Sequence, residues 1–596
     1  MFSKISEALK LFGLHQKEDG QTLAGYGLIL SIIAVAGIGA LVLIGVVVSG
    51  QLGGSGSASA PTSSGAATDR APDAQQIYTA NLGAEPSSID PQAQSYTYEA
   101  TVVKNTFLTL FDQDPQTSQL TPLAAAEIPT KDNGGISADG LTYTITLRPD
   151  LKWSDGSQVT AADFVYGIMR GYNLNVSGAG YGGFITSIKG ADAALALDPT
   201  SATYVADVNA ALAPNVVAVD ATHLKIVSAT ASVSFPSNFV LPITAGVKQS
   251  NVEALSDSFG QAAGAATMVT DGPFTIKEWV AKDHITLERY AGFTAGHVAY
   301  LKDAVFTFTE DANQAYNALE AGNADEAAVP PSTYPGVQDD PNVHQEQEFG
   351  TRWITVDVTI PPWNNKDFVI AINQATDRDT ISRDVYFGLR QPWSAACAAA
   401  VLDCDPTLFD NLKFDLAKAK ASALAAYPDG NIPEITIEAL SDPTTQSLVQ
   451  TLQSQWQQIP GVKVTLKTTD QATLRADMKD HVSGTQVAGW SMDYADPTDL
   501  WANKTSDAVG GNNLGGWSRA QFDTLEAQQD TQSDPAARKA TLKQLQQFYA
   551  ADPADVLLTV ALRTDKFNPK VKGLVESPFD YEIIGDQFLA DIYISN

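Results

Sequence analysis

Hydrophobic and polar residues alternate in several short segments of the chain after residue 77. Leu141–Leu147 reads Leu-Thr-Tyr-Thr-Ile-Thr-Leu, and Val462–Leu466 reads Val-Lys-Val-Thr-Leu. A period of two residues sends successive side chains to opposite faces of an extended chain. Both segments are therefore predicted to be β-strands with one buried face.

Other segments carry the start signals of helices. Thr160 precedes an Ala-Ala-Asp-Phe-Val run with Asp163 three residues on, an arrangement like a capping box. Asp415 is a predicted N-cap for the helix that follows it, and an amphipathic helix is predicted to end near Trp456. Helices and strands mix throughout without a repeat period of about 20–50 residues, which argues against a solenoid. The predicted class is α/β (mixed α+β).

The longest apolar segment lies near the amino terminus. Leu28–Val48 has 21 residues without a charge, and Lys4, Lys10 and Lys17 precede it. A helix of this length covers roughly 30 Å, the thickness of a bilayer core. The positions of the lysines predict a cytoplasmic amino terminus and an extracellular body at the cell membrane or cell surface.

Three interpretations of this segment stay open: a retained membrane anchor, a secretory signal cleaved near residues 55–60, and a pilin-like helix. Residues 18–30 resemble the start of a type IVb (Flp/Tad-class) pilin. The resemblance implies a leader over 1–20, cleavage between Gly20 and Gln21, a helix over 21–48 and assembly with like subunits in a filament. Tyr26 matches the family pattern, but Gly25 stands where the family has Glu.

Composition separates a tether from a charged body. Residues 49–76 are rich in Ser, Gly, Ala and Thr, which predicts a flexible linker. The chain has 68 acidic and 37 basic residues and a formal net charge of −31. The lysines and acids of residues 1–50 cancel, so all of this charge belongs to the remainder. Such a balance argues against a nucleic-acid partner, which needs a positive surface.

The sequence lacks the patterns of common catalytic and metal sites. No GxSxG, P-loop, HExxH or EF-hand motif occurs, and the 6 histidines show no ligand spacing. We therefore predict a protein without metal, cofactor or enzymatic activity. Cys397 and Cys404 are the 2 cysteines. In an extracellular chain they are predicted to form a local disulfide, with two free buried thiols as the alternative.

A set of ordered motifs runs through the body of the chain. They are Gly83–Pro91, Phe107–Phe111, Thr121–Ala124, Asp139–Tyr166, Thr270–Phe274, Ala371–Arg378 and Trp490–Pro497. Together they resemble the family 5 extracellular solute-binding proteins of ABC importers, most closely the oligopeptide-binding subgroup. The resemblance implies an ABC permease as partner and an oligopeptide or a related solute as ligand. A filament subunit that displays a peptide-binding domain is the alternative.

The same resemblance implies a two-lobed periplasmic-binding-protein-like clamshell with a satellite domain, preceded by the long apolar helix. Lobe I would comprise 77–107, 240–348 and 562–596, with the satellite domain over 108–239. Lobe II would comprise 349–561. Ligand would lie between the lobes, and the crossings near 349 and 561 would act as hinges.

Ligand-binding residues follow from the resemblance position by position. Asp493, in a W-x-x-D-Y motif, would pair with the α-amino group of a peptide. Two backbone segments, Ser95-Tyr96-Thr97 and Gly489-Trp490-Ser491, would bond an extended peptide as strands do. Trp490 and Tyr181 would form walls of the cleft, with ordinary core packing as the alternative for each.

This chain departs from the family pattern at three points. Acids that peptide binders often carry near Ser95 and Thr355 are absent, and no clear equivalent exists for the bases that meet a peptide carboxylate. The length and class of the ligand are therefore left open by the sequence.

Overall fold

The structure is a computed structural model that describes residues 69–94, 96–114, 117–177, 187–482, 484–510, 512–575 and 588–596. The predicted leader, apolar helix and most of the linker lie outside these residues, as do Gly20 and Gln21. Within the described ranges, no helix is both long and apolar enough to cross a membrane. The described body, Asp69–Asn596, is one compact unit.

The strands are short except for two. They are β1 Ile77–Asn81, β2 Phe111–Gln113, β3 Leu120–Pro122, β4 Thr142–Thr146, β5 Val216–Ala218, β6 His223–Val227, β7 Phe274–Val280, β8 His284–Arg289, β9 Asp303–Thr307, β10 Glu326–Ala328, β11 Val343–Val356, β12 Arg390–Pro392, β13 Ile435–Ala439, β14 Val464–Thr468, β15 Thr485–Ser491, β16 Asp555–Phe567, β17 Val571–Lys572 and β18 Tyr593–Ile594.

The α-helices alternate with these strands. They are α1 Thr97–Thr106, α2 Ala161–Gly171, α3 Leu174–Ser177, α4 Ala191–Leu195, α5 Tyr204–Leu212, α6 Gln249–Leu255, α7 Ala312–Glu320, α8 Tyr334–Val337, α9 Lys366–Ala375, α10 Arg378–Val385, α11 Leu416–Ala426, α12 Pro443–Trp456, α13 Gln471–Lys479, α14 Pro497–Trp501, α15 Ala520–Thr531 and α16 Pro535–Ala551.

Local signals in the sequence are confirmed where they concern single elements. Helix α2 begins directly after Thr160, whose backbone N–H donates to Asp163 Oδ2 at 2.8 Å. Asp415 Oδ1 accepts from the backbone N–H of Ala417 and of Lys418 at the start of α11. Helix α12 ends at Trp456 as predicted. The second predicted strand is present but shifted, since β14 starts at Val464.

The sheets separate into two groups. Strands β1, β9, β8 and β7 form one sheet, and β4, β6 and β5 form a smaller one. The largest sheet has seven strands in the order β10-β16-β11-β15-β13-β14, with β12 added to β16. Strand β13 is parallel to β14 and β15, whereas β11 is antiparallel to both of its neighbours, β15 and β16.

The hydrophobic cores follow the same division. One large cluster gathers residues between Ala71 and Phe306 together with residues from Phe567 to Ile594. Two other clusters draw on residues from Phe349 to Val560. Ala100 of α1 is an exception, because it packs into one of the latter clusters. Helix α1 therefore lies where the two groups of cores meet.

Two long antiparallel strands join these groups. The pairing of β11 with β16 runs from Val343 opposite Lys566 to Thr355 opposite Asp555. Its register shifts between Gln347 and Thr351, which is a β-bulge or similar irregularity. Bulges bend a strand and increase its local twist. This register shift falls at the predicted crossing near 349.

A polar contact also links the two groups away from the strands. The Asp530 carboxylate in α15 accepts hydrogen bonds from Ser232 Oγ at 2.9 Å and Ser234 Oγ at 2.8 Å. Its backbone carbonyl accepts from the N–H of Val233 at 2.7 Å. Ser232 and Ser234 adjoin the first core, while α15 packs in the second. The contact therefore ties the two groups of cores together.

The surroundings of Asp530 are rich in carboxylates and contain one guanidinium. Arg538 binds Asp496 with two bonds of 2.6 and 2.7 Å, both side chains being 11% exposed. Glu526 lies beside them and is 9% exposed. Burial, followed by the charge of Asp530, raises the pKa of Glu526 to about 7. The folded protein thus holds a proton on Glu526 more tightly than the unfolded chain does.

We predict that Glu526→Gln flattens the pH dependence of stability. Because the folded pKa is raised, the contribution of Glu526 is fully present below about pH 4 and is lost as the pH rises to about 7. Replacing the carboxyl by an amide removes this loss. The free energy of unfolding should fall about 2–3 kcal/mol less between pH 4 and pH 8 in the variant. Urea denaturation across this range measures it.

Glu127 offers the matched control, since it is an exposed glutamate whose replacement by Gln removes the same charge. Glu127→Gln should leave the pH profile parallel to that of the wild type. A Glu526→Gln profile that also ran parallel to the wild type would contradict the prediction.

Candidate functional site

The predicted site residues fall partly within the described structure. Ser95 and Tyr181 lie outside it. The others stand in two places: Tyr96 and Thr97 at the start of α1, and Gly489, Trp490, Ser491 and Asp493 at the end of β15. The structure joins Cys397 and Cys404 in a disulfide with Cα atoms 6.0 Å apart, packed within the core around α16.

The first backbone segment is only partly extended. Tyr96 has φ −118° and ψ 150°, but Thr97 is already the first residue of α1. The prediction of a strand-like segment through Thr97 is therefore wrong. The physical reason is a helix cap, because Glu99 Oε2 accepts from the Tyr96 N–H at 3.1 Å and draws the next residues into the first turn.

The side chain of Tyr96 is largely exposed. Its side chain is 56% exposed and stacks on Tyr98, with ring centroids 5.3 Å apart and planes 8° apart. Ala100, four residues after Tyr96, packs among residues of the second group of cores. Helix α1 thus begins directly after Tyr96 and reaches the second group of cores at Ala100.

The second backbone segment has one edge bonded and one edge open. Ser491, Trp490 and Gly489 pair with Gly350, Thr351 and Arg352 of β11. On the other edge, β13 meets β15 only where Glu438 lies opposite Gln486. Among the described residues, no strand pairs with this edge from Val487 to Ser491. An extended chain can add to such an edge through backbone hydrogen bonds.

Close packing explains why Gly occurs at position 489. A Cβ there would lie 2.4 Å from Arg352 Cδ and 2.6 Å from the Thr351 carbonyl oxygen. Any larger residue would push β15 away from β11. The glycine thus holds the open edge in its present position.

Trp490 and Ser491 point to opposite faces of β15. The Trp490 indole N–H donates to Asp499 Oδ2 at 2.9 Å, and the ring packs against the second group of cores. A Cβ built on Gly350 would lie 3.1 Å from Ser491 Oγ, 3.7 Å from Glu348 Oε2 and 3.8 Å from Ala561 Cβ. Ser491 therefore shares one face of the sheet with Glu348 and Ala561, and Trp490 lies on the other.

Asp499 organises the end of β15. Its Oδ2 accepts from the backbone N–H of Asp493 at 3.0 Å as well as from Trp490. Asp499 is 7% exposed. Burial and then the charge of Asp493 raise its pKa well above the usual value. Asp499 therefore keeps a proton more readily than an exposed aspartate does.

Asp499 was not among the residues predicted from the sequence. Its only local signal is the spacing in Asp496-Pro497-Thr498-Asp499, which resembles the start of a helix. Asp496 is indeed the N-cap of α14, since its Oδ1 accepts from the Thr498 N–H at 2.9 Å. The role of Asp499 depends on its closeness to Trp490 and Asp493, which a helix-start pattern does not reveal.

Comparison with known proteins identifies the family to which this chain is similar. The family model described as bacterial extracellular solute-binding proteins, family 5, matches residues 119–512. The oligopeptide-binding protein OppA of Bacillus subtilis is 25% identical over 489 residues, covering 79% of this chain and 84% of OppA. The dipeptide-binding protein DppE of the same organism is 24% identical over 457 residues, covering 75% and 81%.

Solved structures show the same fold. The unliganded open form of the murein tripeptide-binding protein MppA has a TM-score of 0.73 and 20% identity, covering 89% of this chain and 98% of MppA. OppA of Listeria monocytogenes bound to peptide has a TM-score of 0.65 and 20% identity, covering 87% and 99%. The predicted mixed α/β, two-lobed fold is thus confirmed.

The family also settles two broader predictions. Its members are binding proteins, which confirms that this protein is not an enzyme, and they act outside the cytoplasm, as predicted for the globular body. The family model covers well over half of the chain. The protein belongs to the family 5 bacterial extracellular solute-binding proteins.

Proposed function

We propose that the protein captures oligopeptides with a free amino terminus between its two lobes and delivers them to an ABC permease. Relatives named as dipeptide- and oligopeptide-binding proteins support a peptide ligand. The observation that carries the proposal is the open edge of β15 from Val487 to Ser491, directly before Asp493.

An extended peptide would add to this edge as a further strand. Main-chain hydrogen bonds of this kind accept almost any side chain, which suits a transporter of mixed peptides. Gly489, Trp490 and Ser491 would supply the backbone groups. Ser95 and Tyr96, on the far side, and Tyr181 would complete the cleft. The side chain of Trp490 would hold β15 against the core through its hydrogen bond to Asp499.

Asp493 would fix the amino terminus of the peptide. A carboxylate facing an ammonium makes a stronger hydrogen bond than a neutral pair does. The burial of Asp499 and the nearby charge of Asp493 raise the pKa of Asp499, which shows that these two carboxyls lie close together at the end of β15. Asp499 also holds the backbone N–H of Asp493 and so positions its side chain.

Binding would be accompanied by closure of the lobes. Lobe I and its satellite would comprise residues 77–348 and 562–596, lobe II would comprise 349–561, and hinges would lie near 349 and 561. The bulge between Gln347 and Thr351 supports the first hinge. The higher TM-score to an unliganded open form than to a peptide complex, 0.73 against 0.65, suits an open starting state.

We predict that Asp493→Asn weakens the binding of peptides with free amino termini by about 2–5 kcal/mol, because an amide cannot neutralise the ammonium. Isothermal titration of the full chain with a tetrapeptide and its N-acetyl counterpart measures this. The N-acetyl peptide, bound weakly by the wild type, should lose much less in the variant.

Asp507→Asn is the matched control, since Asp507 is an exposed aspartate of the same region. It should bind the free peptide as the wild type does. An equal loss for free and acetylated peptides in Asp493→Asn would rule out the assigned role of Asp493, even if peptides bind.

We further propose that the apolar segment over 28–48 holds the protein at the cell surface. The support is its length and lack of charge, together with the linker over 49–76. Display on a pilin-type filament is the alternative, favoured by the resemblance of residues 18–30 to a pilin.

We expect the mature protein to remain in the membrane fraction, because the retained segment is long enough to span a bilayer. Amino-terminal sequencing of protein from its host tests this. A mature chain beginning at Gln21, with filaments in sheared surface material under the electron microscope, would favour the pilin-type alternative. A soluble chain beginning near residue 60 would contradict both.

A further inference from the structure

The side chain of Arg352 lies across strand β15. Arg352 is opposite Gly489 in the pairing of β11 with β15, which runs from Gly350 to Val356 without a register shift. A Cβ built on Gly489 would lie 2.5 Å from Arg352 Nη1. The guanidinium thus occupies the space that a side chain at position 489 would take. It therefore lies above the strand whose other edge is open.

The neighbours of Arg352 identify the face of the sheet on which it lies. Ile354 and Val487, two residues along β11 and β15, pack into the cluster that includes residues of α9 and α12. Trp490 packs into the other cluster, around α16. Alternate residues of a strand share one face. Arg352 and Gly489 are therefore on the α9 and α12 side of the sheet, opposite Trp490.

The guanidinium of Arg352 differs from other buried guanidinium groups in its contacts. Arg170 binds Asp90 through two bonds of 2.6 Å, and Arg538 binds its own aspartate in the same way. That of Arg352, which is half-buried, makes no hydrogen bond or ion pair with the residues that the structure describes. A guanidinium carries five N–H donors in a planar fork that matches a carboxylate. The donors of Arg352 can therefore serve a ligand.

A tyrosine and a second arginine lie near Arg352. Tyr386 packs against the same cluster as Ile354. Burial raises the pKa of Tyr386, and the charges of Arg390 and Arg352 oppose this rise, so both cations are within electrostatic range of the phenol. The guanidinium carbon of Arg390 is 4.9 Å from the centroid of the Tyr386 ring. The acid that acts on the same phenol, Asp442, caps α12.

Acidic groups lie toward the other end of the open edge. A Cβ built on Gly350, opposite Ser491, would be 3.7 Å from Glu348 Oε2. Asp493 follows Ser491 by two residues. The charges along β15 therefore change from carboxylates near Ser491 and Asp493 to a guanidinium at Gly489.

The direction of a bound peptide brings its later residues to Arg352. A peptide with its amino terminus at Asp493 runs along Ser491 toward Val487. Gly489 is four residues before Asp493, or about 13 Å at roughly 3.3 Å per residue. Side chains of an added strand point alternately to the two faces of the sheet. One of the third, fourth and fifth side chains of the peptide therefore lies beside Gly489 on the face of Arg352.

We propose that Arg352 is a specificity-determining residue that binds an aspartate or glutamate side chain of the peptide, at about its fourth position. The backbone of an added strand stays in the plane of the sheet, whereas the guanidinium lies above that plane. A side chain, rather than the carboxyl terminus, is therefore the group that reaches it. The proposal rests on the proposed function, since it presupposes a peptide bound along β15.

The experiment compares hexapeptides that differ in one side chain. Glutamate or glutamine is placed in turn at the third, fourth and fifth positions of an alanine hexapeptide with an amidated carboxyl terminus, and each is titrated into the full chain by calorimetry. At one position, glutamate should bind about tenfold more tightly than glutamine, because its bonds to the guanidinium are charge-assisted. The positions directly beside it should show no such preference, since they face the other side of the sheet.

Substitutions assign the preference to Arg352. Arg352→Gln should bring the ratio of glutamate to glutamine binding close to one, while the glutamine peptide binds as in the wild type. Arg352→Met, which keeps an unbranched stem over Gly489, should give the same result and replaces the first variant if that one does not fold. Arg383→Gln is the matched control: it removes the same charge from an exposed arginine of α10, which pairs with Asp384, and should leave the ratio unchanged.

A second set of peptides distinguishes a side chain from the chain terminus. The same glutamine hexapeptides are titrated with a free carboxyl terminus. Arg352→Gln should leave the ratio of free to amidated binding as it is in the wild type. If this ratio changes in the variant and the ratio of glutamate to glutamine does not, Arg352 meets the carboxyl terminus and the side-chain subsite is overturned.

The other outcomes separate this proposal from the proposed function. Equal binding of glutamate and glutamine peptides at all three positions would overturn the acidic subsite and leave peptide binding standing. A glutamate preference that persists in Arg352→Gln, or that Arg383→Gln reduces equally, would also overturn it. Failure of every peptide to bind the wild type would overturn the proposed function, and the subsite with it.

Discussion

The pairing of β11 with β16 is the constraint on which the rest of this structure depends. These two strands are the longest in the described chain, and they run from the neighbourhood of one group of cores into the other. The backbone hydrogen bonds between these two strands connect the two groups of hydrophobic cores. The register of this pairing shifts between Gln347 and Thr351 and again between Arg352 and Trp353. The first of these shifts is where we propose that the lobes bend, with the cores on either side remaining packed.

The second constraint is the burial of acidic groups in a protein with few bases. Arg538 neutralises Asp496, and Lys504 bonds the buried Asp555 at 2.6 Å. Other carboxyls keep a proton, as the raised pKa values of Asp499 and Glu526 indicate. Both solutions spare the interior an uncompensated charge. Many of the remaining acids are exposed on the surface, such as Asp507 and Glu127.

Local elements were the part of the fold most open to prediction. The caps at Thr160 and Asp415 and the end of α12 depend on residues within a few positions of one another, and all are confirmed. The prediction for Thr97 was wrong because it carried an extended segment over from the family resemblance. It did not consider that Glu99 caps a helix that begins at Thr97. The bond from Trp490 to Asp499 joins a strand to a helix, and the bonds from Ser232 and Ser234 to Asp530 join segments far apart in the chain. No short sequence pattern predicts either contact.

The sequence by itself determined the family and the absence of an enzymatic role. Those properties follow from ordered motifs and composition, which can be read from the sequence without a structure. Only the tertiary structure decided that the β15 edge is open, and that Trp490 turns to the core while Ser491 lies on the opposite face of the sheet. Each of these depends on strand register and on side-chain direction, and both are set by contacts between residues far apart in the chain.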